Sequence, residues 1–297
     1  MSGLITVTGS TGTIGRELVR LLAERGASVR AVYRDAGKAS SLPTVERARA
    51  DLANPVELSA ALTGTARLFL LTDNAPGFAR IQIAVVDAAA QLGVGHLVKL
   101  SALGASDHSH SWIAREHWEV EQAIQHSSVP WTMLRPHGFM QNWLGDVAES
   151  VRAEGVIYSP IGDGRVPFID ARDIAAVAAL VLQRPEAHAE KKYVLTGGAA
   201  VGLAELAAAL TQVTGRTITN RPITMEAARA RLAARGMTTS LIDATLAIAA
   251  YQRDGGPTAT VSPTVERLLG RAPLTIHDFV RDYRTSFVSP SEAHGSA

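Results

Sequence analysis

The segment Leu4-Ile5-Thr6-Val7-Thr8-Gly9-Ser10-Thr11-Gly12-Thr13-Ile14-Gly15 carries an apolar run of strand character straight into glycines at i, i+3 and i+6. Arg16 to Arg25 follows at once, with Leu18, Leu21 and Leu22 on one helical face. A backbone that must leave a strand sharply and open a helix within a few residues has few folds available. A βαβ unit is expected, completed by a second strand over Ser28 to Tyr33. Within it, Gly9 suits the tight turn, Gly12 a backbone that approaches a pyrophosphate, and Gly15 close packing of helix on strand. Gly9, Ser10, Thr11, Gly12, Thr13, Ile14 and Gly15 thus read as a cradle in which free helix N–H groups face negative charge. The expected ligand is a dinucleotide; the alternative is a glycine-rich turn that binds nothing.

Strand-like and helix-like segments alternate with short connections as far as about residue 185, the pattern of a parallel sheet covered by helices. Strands are expected at Leu4 to Thr8, Ser28 to Tyr33, Val45 to Ala48, Arg67 to Leu71, His96 to Leu100 and Trp131 to Leu134, with helices near Ile14 to Arg25, Pro55 to Leu62, Ala79 to Gln91 and Trp112 to His126. Asp51 with Asn54-Pro55 marks a helix start, and Gly93 a helix end. Beyond Gly155 come a short strand at Val156 to Ser159, a turn at Gly162-Asp163-Gly164, a helix to Gln183 and a returning strand at Lys192 to Leu195. Leu203 to Phe287 reads as mainly helical. The fold class expected is α/β, a Rossmann-like doubly wound parallel sheet with a smaller, mainly helical C-terminal substrate region. Residues 1–155 would form the dinucleotide-binding domain, with 165–200 returning to it. Residues 156–164 and 201–288 would form the smaller region, and 289–297 a mobile tail.

Lys and Arg number 29 against 28 Asp and Glu in 297 residues, so the total carries no electrostatic footprint of nucleic-acid or anionic-membrane binding. Cysteine is absent, which excludes disulfides, thiolate metal sites and cysteine nucleophiles. No apolar run reaches the roughly 18 residues of a membrane span. The reading is a cytoplasmic protein that takes a small molecule, with no membrane or nucleic-acid partner. His108 and His110 lie in a polar loop without thiolates, a poor metal cage, so no metal is expected.

The end of the second strand decides between dinucleotides, since an acidic residue there binds a ribose 2′-hydroxyl and a cation a 2′-phosphate. Tyr33-Arg34-Asp35, with Lys38 four residues beyond Arg34, favours NADPH through Arg34 and Lys38, whereas Asp35 leaves NADH open.

With these residues placed, the chain resembles atypical short-chain dehydrogenases/reductases of the NmrA-like group along nearly its whole length. The segments that carry the likeness are Thr8 to Gly15, Arg34-Asp35, Asp51-Leu52, Glu116-His117 with Glu121, Leu134 to Asn142 and Gly162 to Asp173. Tyr193, Leu195-Thr196-Gly197, Val265, Gly270 to Pro273 and Phe279 also match. The resemblance implies that Asp51 and Leu52 lie near the adenine, Leu71, Thr72 and Asp73 along the cofactor, and Pro136, His137 and Phe139 beside the nicotinamide. Ser101 aligns with the serine that orients carbonyl oxygens in ordinary members, although a serine ending a strand also caps the following turn.

One departure bears on mechanism. Most short-chain dehydrogenases use a Tyr-x-x-x-Lys pair, but the residues four beyond Tyr33, Tyr158, Tyr193, Tyr251 and Tyr283 are Gly37, Gly162, Gly197, Gly255 and Phe287. His117 aligns with a lysine of isoflavone reductase-like enzymes, so Ser101 and His117 are the catalytic candidates; the other reading of His117 is a packing residue bonded to its neighbour. Without the tyrosine, acceptors that tolerate its loss are favoured: quinones, conjugated cations, imines, or aromatic ketones whose own hydroxyl assists protonation. Family members of this kind include quinone reductases, triphenylmethane reductases and angucyclinone-type ketoreductases. Trp112, His137, Phe139, Met140, Trp143 and Phe168 are the expected contacts of a flat, polycyclic aromatic substrate. The reading is an NADPH-dependent reductase of a ketone or quinone on such a substrate; the alternatives are a non-catalytic NADP-binding redox sensor and an imine or azo reductase.

Overall fold

The structure is a computed structural model that describes residues 3–38 and 40–289, so the expected tail lies outside the described residues except for Ser289. The order of elements begins β1 (Leu4–Val7), α1 (Thr13–Glu24), β2 (Val29–Tyr33), β3 (Val45–Arg49), α2 (Pro55–Leu62), β4 (Thr65–Leu70), α3 (Phe78–Gln91), β5 (His96–Leu100), α4 (Trp112–His126) and β6 (Trp131–Pro136). It continues with α5 (Asp146–Glu154), β7 (Val156–Ser159), α6 (Ala171–Gln183), β8 (Lys191–Leu195), α7 (Leu203–Thr214), β9 (Thr219–Pro222), α8 (Met225–Ala234), α9 (Thr239–Asp254), α10 (Thr264–Leu269) and α11 (Ile276–Asp282).

Seven strands form one sheet in the order β3-β2-β1-β4-β5-β6-β8, every pair parallel. This is the expected α/β, doubly wound architecture. Its strands read as near-continuous apolar runs because helices cover both faces: Ile5, Val7, Leu68, Phe69, Leu70, Leu97, Val98, Met133 and Leu134 are all buried. The chain builds outward from β1 to β3, then crosses back to place β4 on the other side of β1. Connections leaving β1 and β4 therefore diverge, and a crevice opens at the carboxyl ends of those two strands.

Local chemistry accounts for the helix boundaries. Asn54 caps α2 by accepting from the Val56 and Glu57 N–H groups, with Pro55 at the first helical position. Gly93, at φ +69°, takes the left-handed conformation just past α3. The α3 N-terminus is capped from outside: the Glu116 carboxylate on α4 accepts the Gly77 and Ala79 N–H groups, both at 2.8 Å.

Two compact units are present. The chain up to Pro136, with Ala171–Leu195 and Thr264–Arg271, forms the unit built on the large sheet. His137–Asp170, Thr196–Pro263 and the chain from Ala272 form the other. The second unit holds its own core, centred on Met140, Trp143, Ile157, Phe168, Leu206, Leu210, Phe279 and Phe287. It contains a parallel pair, β7 with β9, that the reading of Leu203 to Phe287 as mainly helical does not include. Thr219–Pro222 reads Thr-Asn-Arg-Pro and is largely exposed, so it carries none of the apolar alternation by which a strand announces itself.

Candidate active site

The three glycines make different demands. Gly9 sits at φ +61°, and a Cβ there would lie 2.8 Å from the Leu71 carbonyl oxygen. A Cβ on Gly15 would overlap the Gly9 carbonyl oxygen, so α1 can start where it does only because position 15 is bare. Gly12 has an ordinary φ of −78° and extended ψ, and a Cβ would come no closer than 3.4 Å to protein atoms. Nothing within the protein requires a glycine at that position. It is the N-cap of α1 and supplies no side-chain acceptor, and the first turn carries no acidic residue. An exposed helix start with free N–H groups results, formed by half-buried Thr11 and exposed Gly12 and Thr13, with Ile14 buried beneath.

The cradle is fixed from behind. Thr8 Oγ1 donates to the Phe69 and Leu71 carbonyls and accepts the Leu71 N–H at 2.9 Å, tying the end of β1 to the end of β4. Ser10 Oγ donates to the Val32 carbonyl at 2.6 Å, tying the turn to β2. Its hydroxyl thus braces the loop.

Around the rim, Arg34 beyond β2 pairs with Asp73 beyond β4 at 2.9 Å, their side chains 70% and 63% exposed. Lys38 lies 3.9 Å from Asp35. Asp51 accepts the Ala53 N–H, its own N–H is bonded to Glu57, and Leu52 packs against the Val32–Ala50–Ala61 cluster. Thr72 Oγ1 accepts from Gln82 Nε2 at 2.7 Å. Gln82 on α3 is 1% exposed and its Oε1 has no hydrogen-bond partner; a glutamine on the buried stripe of an apolar helix was the signal for it in the sequence.

Beneath the ends of β5 and β6 lies a buried polar network. Glu121 is wholly buried; its carboxylate accepts from Ser101 Oγ at 2.5 Å and from both Nε and Nη2 of Arg135, at 2.8 and 2.5 Å. Lys192 Nζ on β8 stands 3.5 Å away. Burial alone would raise this carboxyl, but Arg135 and Ser101 outweigh it and hold it below the ordinary carboxylate range. One turn earlier, His117 turns to a different partner: Lys99 Nζ lies 3.1 Å from its Nδ1. Burial, then the facing Lys99 ammonium, pushes His117 well below the usual imidazole value. The ring rests against Phe78 at 4.8 Å between centroids, and Phe78 also touches Trp112 at 6.4 Å. Pro136 closes β6, buried, with its carbonyl accepting the Leu103 N–H. Sequence reasoning paired His117 with Glu121 by spacing; it did not find Lys99, Arg135 or Lys192, although a lysine inside a strand as apolar as His96–Leu100 was the visible signal.

In the second unit, His137 Nε2 donates to the Thr258 carbonyl at 3.0 Å while its Nδ1 accepts the Gly138 N–H. Burial lowers this imidazole to about 4, against the Thr258 bond, so it is neutral. Its ring meets Phe168 at 6.4 Å, Phe168 meets Trp143 at 4.8 Å, and Trp143 meets Phe279 at 5.6 Å. Half-buried Phe139 bridges to Ile169, whose carbonyl accepts the Met140 N–H. Met140, Trp143 and Phe168 are all part of that unit's core.

A glycine cradle on β1, a crevice where β1 meets β4, and a network in place of a Tyr-Lys pair define an atypical nucleotide-binding α/β protein. The chain belongs to the NmrA-like family, whose description matches residues 1–280. It is 39% identical over 286 residues to the NAD(P)H azoreductase of Xenophilus azovorans, covering 96% of this chain and 99% of that one. It is 35% identical over 288 residues to a (4-alkanoyl-5-oxo-2,5-dihydrofuran-3-yl)methyl phosphate reductase of Streptomyces griseus, covering 96% and 99%. Among solved structures, the NADPH-dependent quinone oxidoreductase of Escherichia coli complexed with NADPH is similar at a TM-score of 0.84 and 28% identity, over 94% of this chain and 99% of that one.

Proposed function

We propose that this chain is an NADPH-dependent reductase that passes hydride to an azo group, a quinone or a ketone of a flat, polycyclic aromatic acceptor. The observation that carries the reading is the start of α1: beyond the Gly12 N–H, which closes the Gly9 turn, no side chain caps the first N–H groups of the helix among the described residues, and a Cβ at Gly12 would meet nothing closer than 3.4 Å. A pyrophosphate there meets backbone donors and the positive end of the helix. Arg34, with Lys38 nearby, supplies the cation for a 2′-phosphate once it exchanges Asp73 for it; the existing pair is exposed and worth about 0–1 kcal/mol, so exchange is easy. Leu52 offers an apolar wall to the adenine, and Thr72 with Asp73 lines the path toward the nicotinamide.

Bound there, the reduced nicotinamide supplies the hydride; the protein orients it and excludes water. Ser101 donates to Glu121 and is therefore a brace of the β5 end. His117, supported by Lys99, is the polar group left to serve the acceptor. Trp112, which packs on Phe78 in the first unit, is the proposed aromatic contact of the acceptor, whereas Met140, Trp143 and Phe168 serve the core of the second unit, in which His137 and Phe139 also lie. The azoreductase and quinone oxidoreductase names of similar proteins support the acceptor class. The test is NADPH oxidation against a panel of azo dyes, quinones and polycyclic aromatic ketones. Turnover with one or more of these is expected, and tight NADPH binding with no oxidation across the panel would show a sensor instead.

A further inference from the structure

Strand β5 reads His96-Leu97-Val98-Lys99-Leu100 and every residue in it is buried, Lys99 completely. A charged lysine in such a place needs a counter-ion in direct contact. The carboxylate that acts on it, Glu121, is already taken by Ser101, Arg135 and Lys192. Lys99 Nζ instead donates to the Leu100 carbonyl and stands 3.1 Å from His117 Nδ1, to which an ammonium can only donate. Because Nδ1 accepts, the His117 proton resides on Nε2. The ring is only 5% exposed, and Nε2 bonds no protein group among the described residues yet is not one of the fully enclosed polar atoms, so it is the ring nitrogen left open to water or a ligand. A purely structural pair has no need of a buried lysine without its counter-ion behind a ring whose other nitrogen stays open.

Resting on the reductase reading above, we propose that Lys99 and His117 form a two-residue proton relay for the acceptor. His117 Nε2 gives its proton to the nitrogen or oxygen that receives negative charge when hydride arrives, and Lys99 Nζ restores the imidazole through Nδ1. Atoms and charge balance. The reduced nicotinamide loses a hydride and ends as the cation. The acceptor gains that hydride and one proton. The Nε2–H bond breaks as the Nδ1–H bond forms, leaving Lys99 a neutral amine; between turnovers Nε2 takes a proton from solvent as Nδ1 returns its own to Lys99 Nζ, which restores the starting pair. His117 touches the acceptor and is the catalytic residue; Lys99 acts through it.

Burial, and not the surrounding charge, favours release of the proton from Lys99. Burial lowers the Lys99 ammonium to about 7, with Glu121 pulling the other way, so it releases a proton readily near neutrality. Glu121 acts on Lys99 and Phe78 packs against the His117 ring, while the carboxylate of Glu116, next to His117 on α4, is bound to the α3 start. Arg135 and Lys192 face Glu121 from β6 and β8.

The relay separates two kinds of acceptor. An azo dye needs a proton with its hydride, whereas a cationic triarylmethane dye becomes neutral on hydride addition alone. Lys99→Met and His117→Gln should each lower azo turnover about tenfold or more beyond any loss with the cationic dye, since general acids contribute about 10²- to 10⁴-fold. Wild-type azo turnover should fall as pH rises through about 7, and Lys99→Met should lose that limb. NADPH affinity, read by calorimetry, stays within about threefold in both variants. Equal losses with the two acceptors, or a Lys99→Met enzyme that keeps the wild-type pH profile, would overturn the relay. Should Lys99→Met not fold, His117→Gln leaves the lysine in place and reads the same ratio. A wild-type protein that binds NADPH but reduces neither dye class, nor any quinone, defeats the reductase reading itself, a distinct result.

Discussion

Replacing Glu121 by glutamine isolates the buried network that holds the ends of β5, β6 and β8 to α4. The substitution keeps the shape, removes the charge, and turns an amide N–H₂ toward the guanidinium of Arg135 or the hydroxyl of Ser101, both of which are donors. Removing one partner of a buried ion pair costs about 3–5 kcal/mol. Arg135 and Lys192 have side chains 19% and 33% exposed, so water recovers part of their solvation and the lower end applies, about 3 kcal/mol. For a chain of this size that corresponds to roughly 6 °C in melting temperature. Thermal unfolding followed by tryptophan fluorescence is a suitable assay, because Lys192 Nζ stands 5.9 Å from the Trp118 ring and reports on the same network. The sign with pH is fixed as well. A carboxyl held below its ordinary value contributes its full stability above about 4.5 and loses it as pH falls through the folded-state value. The gap between wild type and Glu121→Gln should therefore close in acid. A variant that melts within about 1 °C of wild type at neutral pH would refute the reasoning.

Three further outcomes follow from the same geometry. Lys99 has the opposite pH signature: between about 7 and 10.5 the unfolded chain holds the proton that the folded chain has released, so wild type gains stability as pH rises through that window. Lys99→Met should lack this rise, giving an advantage at about pH 6 that shrinks by on the order of 2 kcal/mol by about pH 9, read from urea midpoints. Glu116→Ala removes both acceptors from the α3 start and should cost about 1–2 kcal/mol in the same assay, with faster hydrogen exchange at Gly77 and Ala79. Arg34→Ala should weaken NADPH about tenfold and leave NADH within about twofold, measured by fluorescence titration; unchanged NADPH affinity would remove the 2′-phosphate assignment.

How much of this was legible in the sequence differs from element to element. Pro55–Leu62, His96–Leu100, Trp112–His126 and Val156–Ser159 have the bounds that the sequence pattern expects, the first because Asn54 and Pro55 start it. The cradle was legible for the same reason: Gly9 needs a positive φ and Gly15 a bare Cα, and only glycine supplies both cheaply. Partners that meet across crossovers were not. The i, i+4 spacing puts His117 and Glu121 on one face of α4, yet what they meet is decided by β5, β6 and β8, strands set beside each other by sheet order. Ser101 illustrates the point, since its bond to Glu121 depends on a helix twenty residues downstream. Glu116 looks like a surface acid in sequence and caps a neighbouring helix in space. Strand β9 went unseen because its residues are polar, ending in a proline, and it pairs only with β7.

The central claim, that the bare start of α1 receives the cofactor's phosphates, is tested most directly by Gly12→Asp. Position 12 has an ordinary φ and room for a Cβ, and aspartate is a favoured helix cap, so melting temperature should hold or rise slightly. Its carboxylate would occupy the N–H groups and repel a pyrophosphate, and calorimetry should show NADPH affinity reduced about a hundredfold or more. A stable Gly12→Asp protein that still bound NADPH within about threefold of wild type would place the cofactor elsewhere and contradict the account.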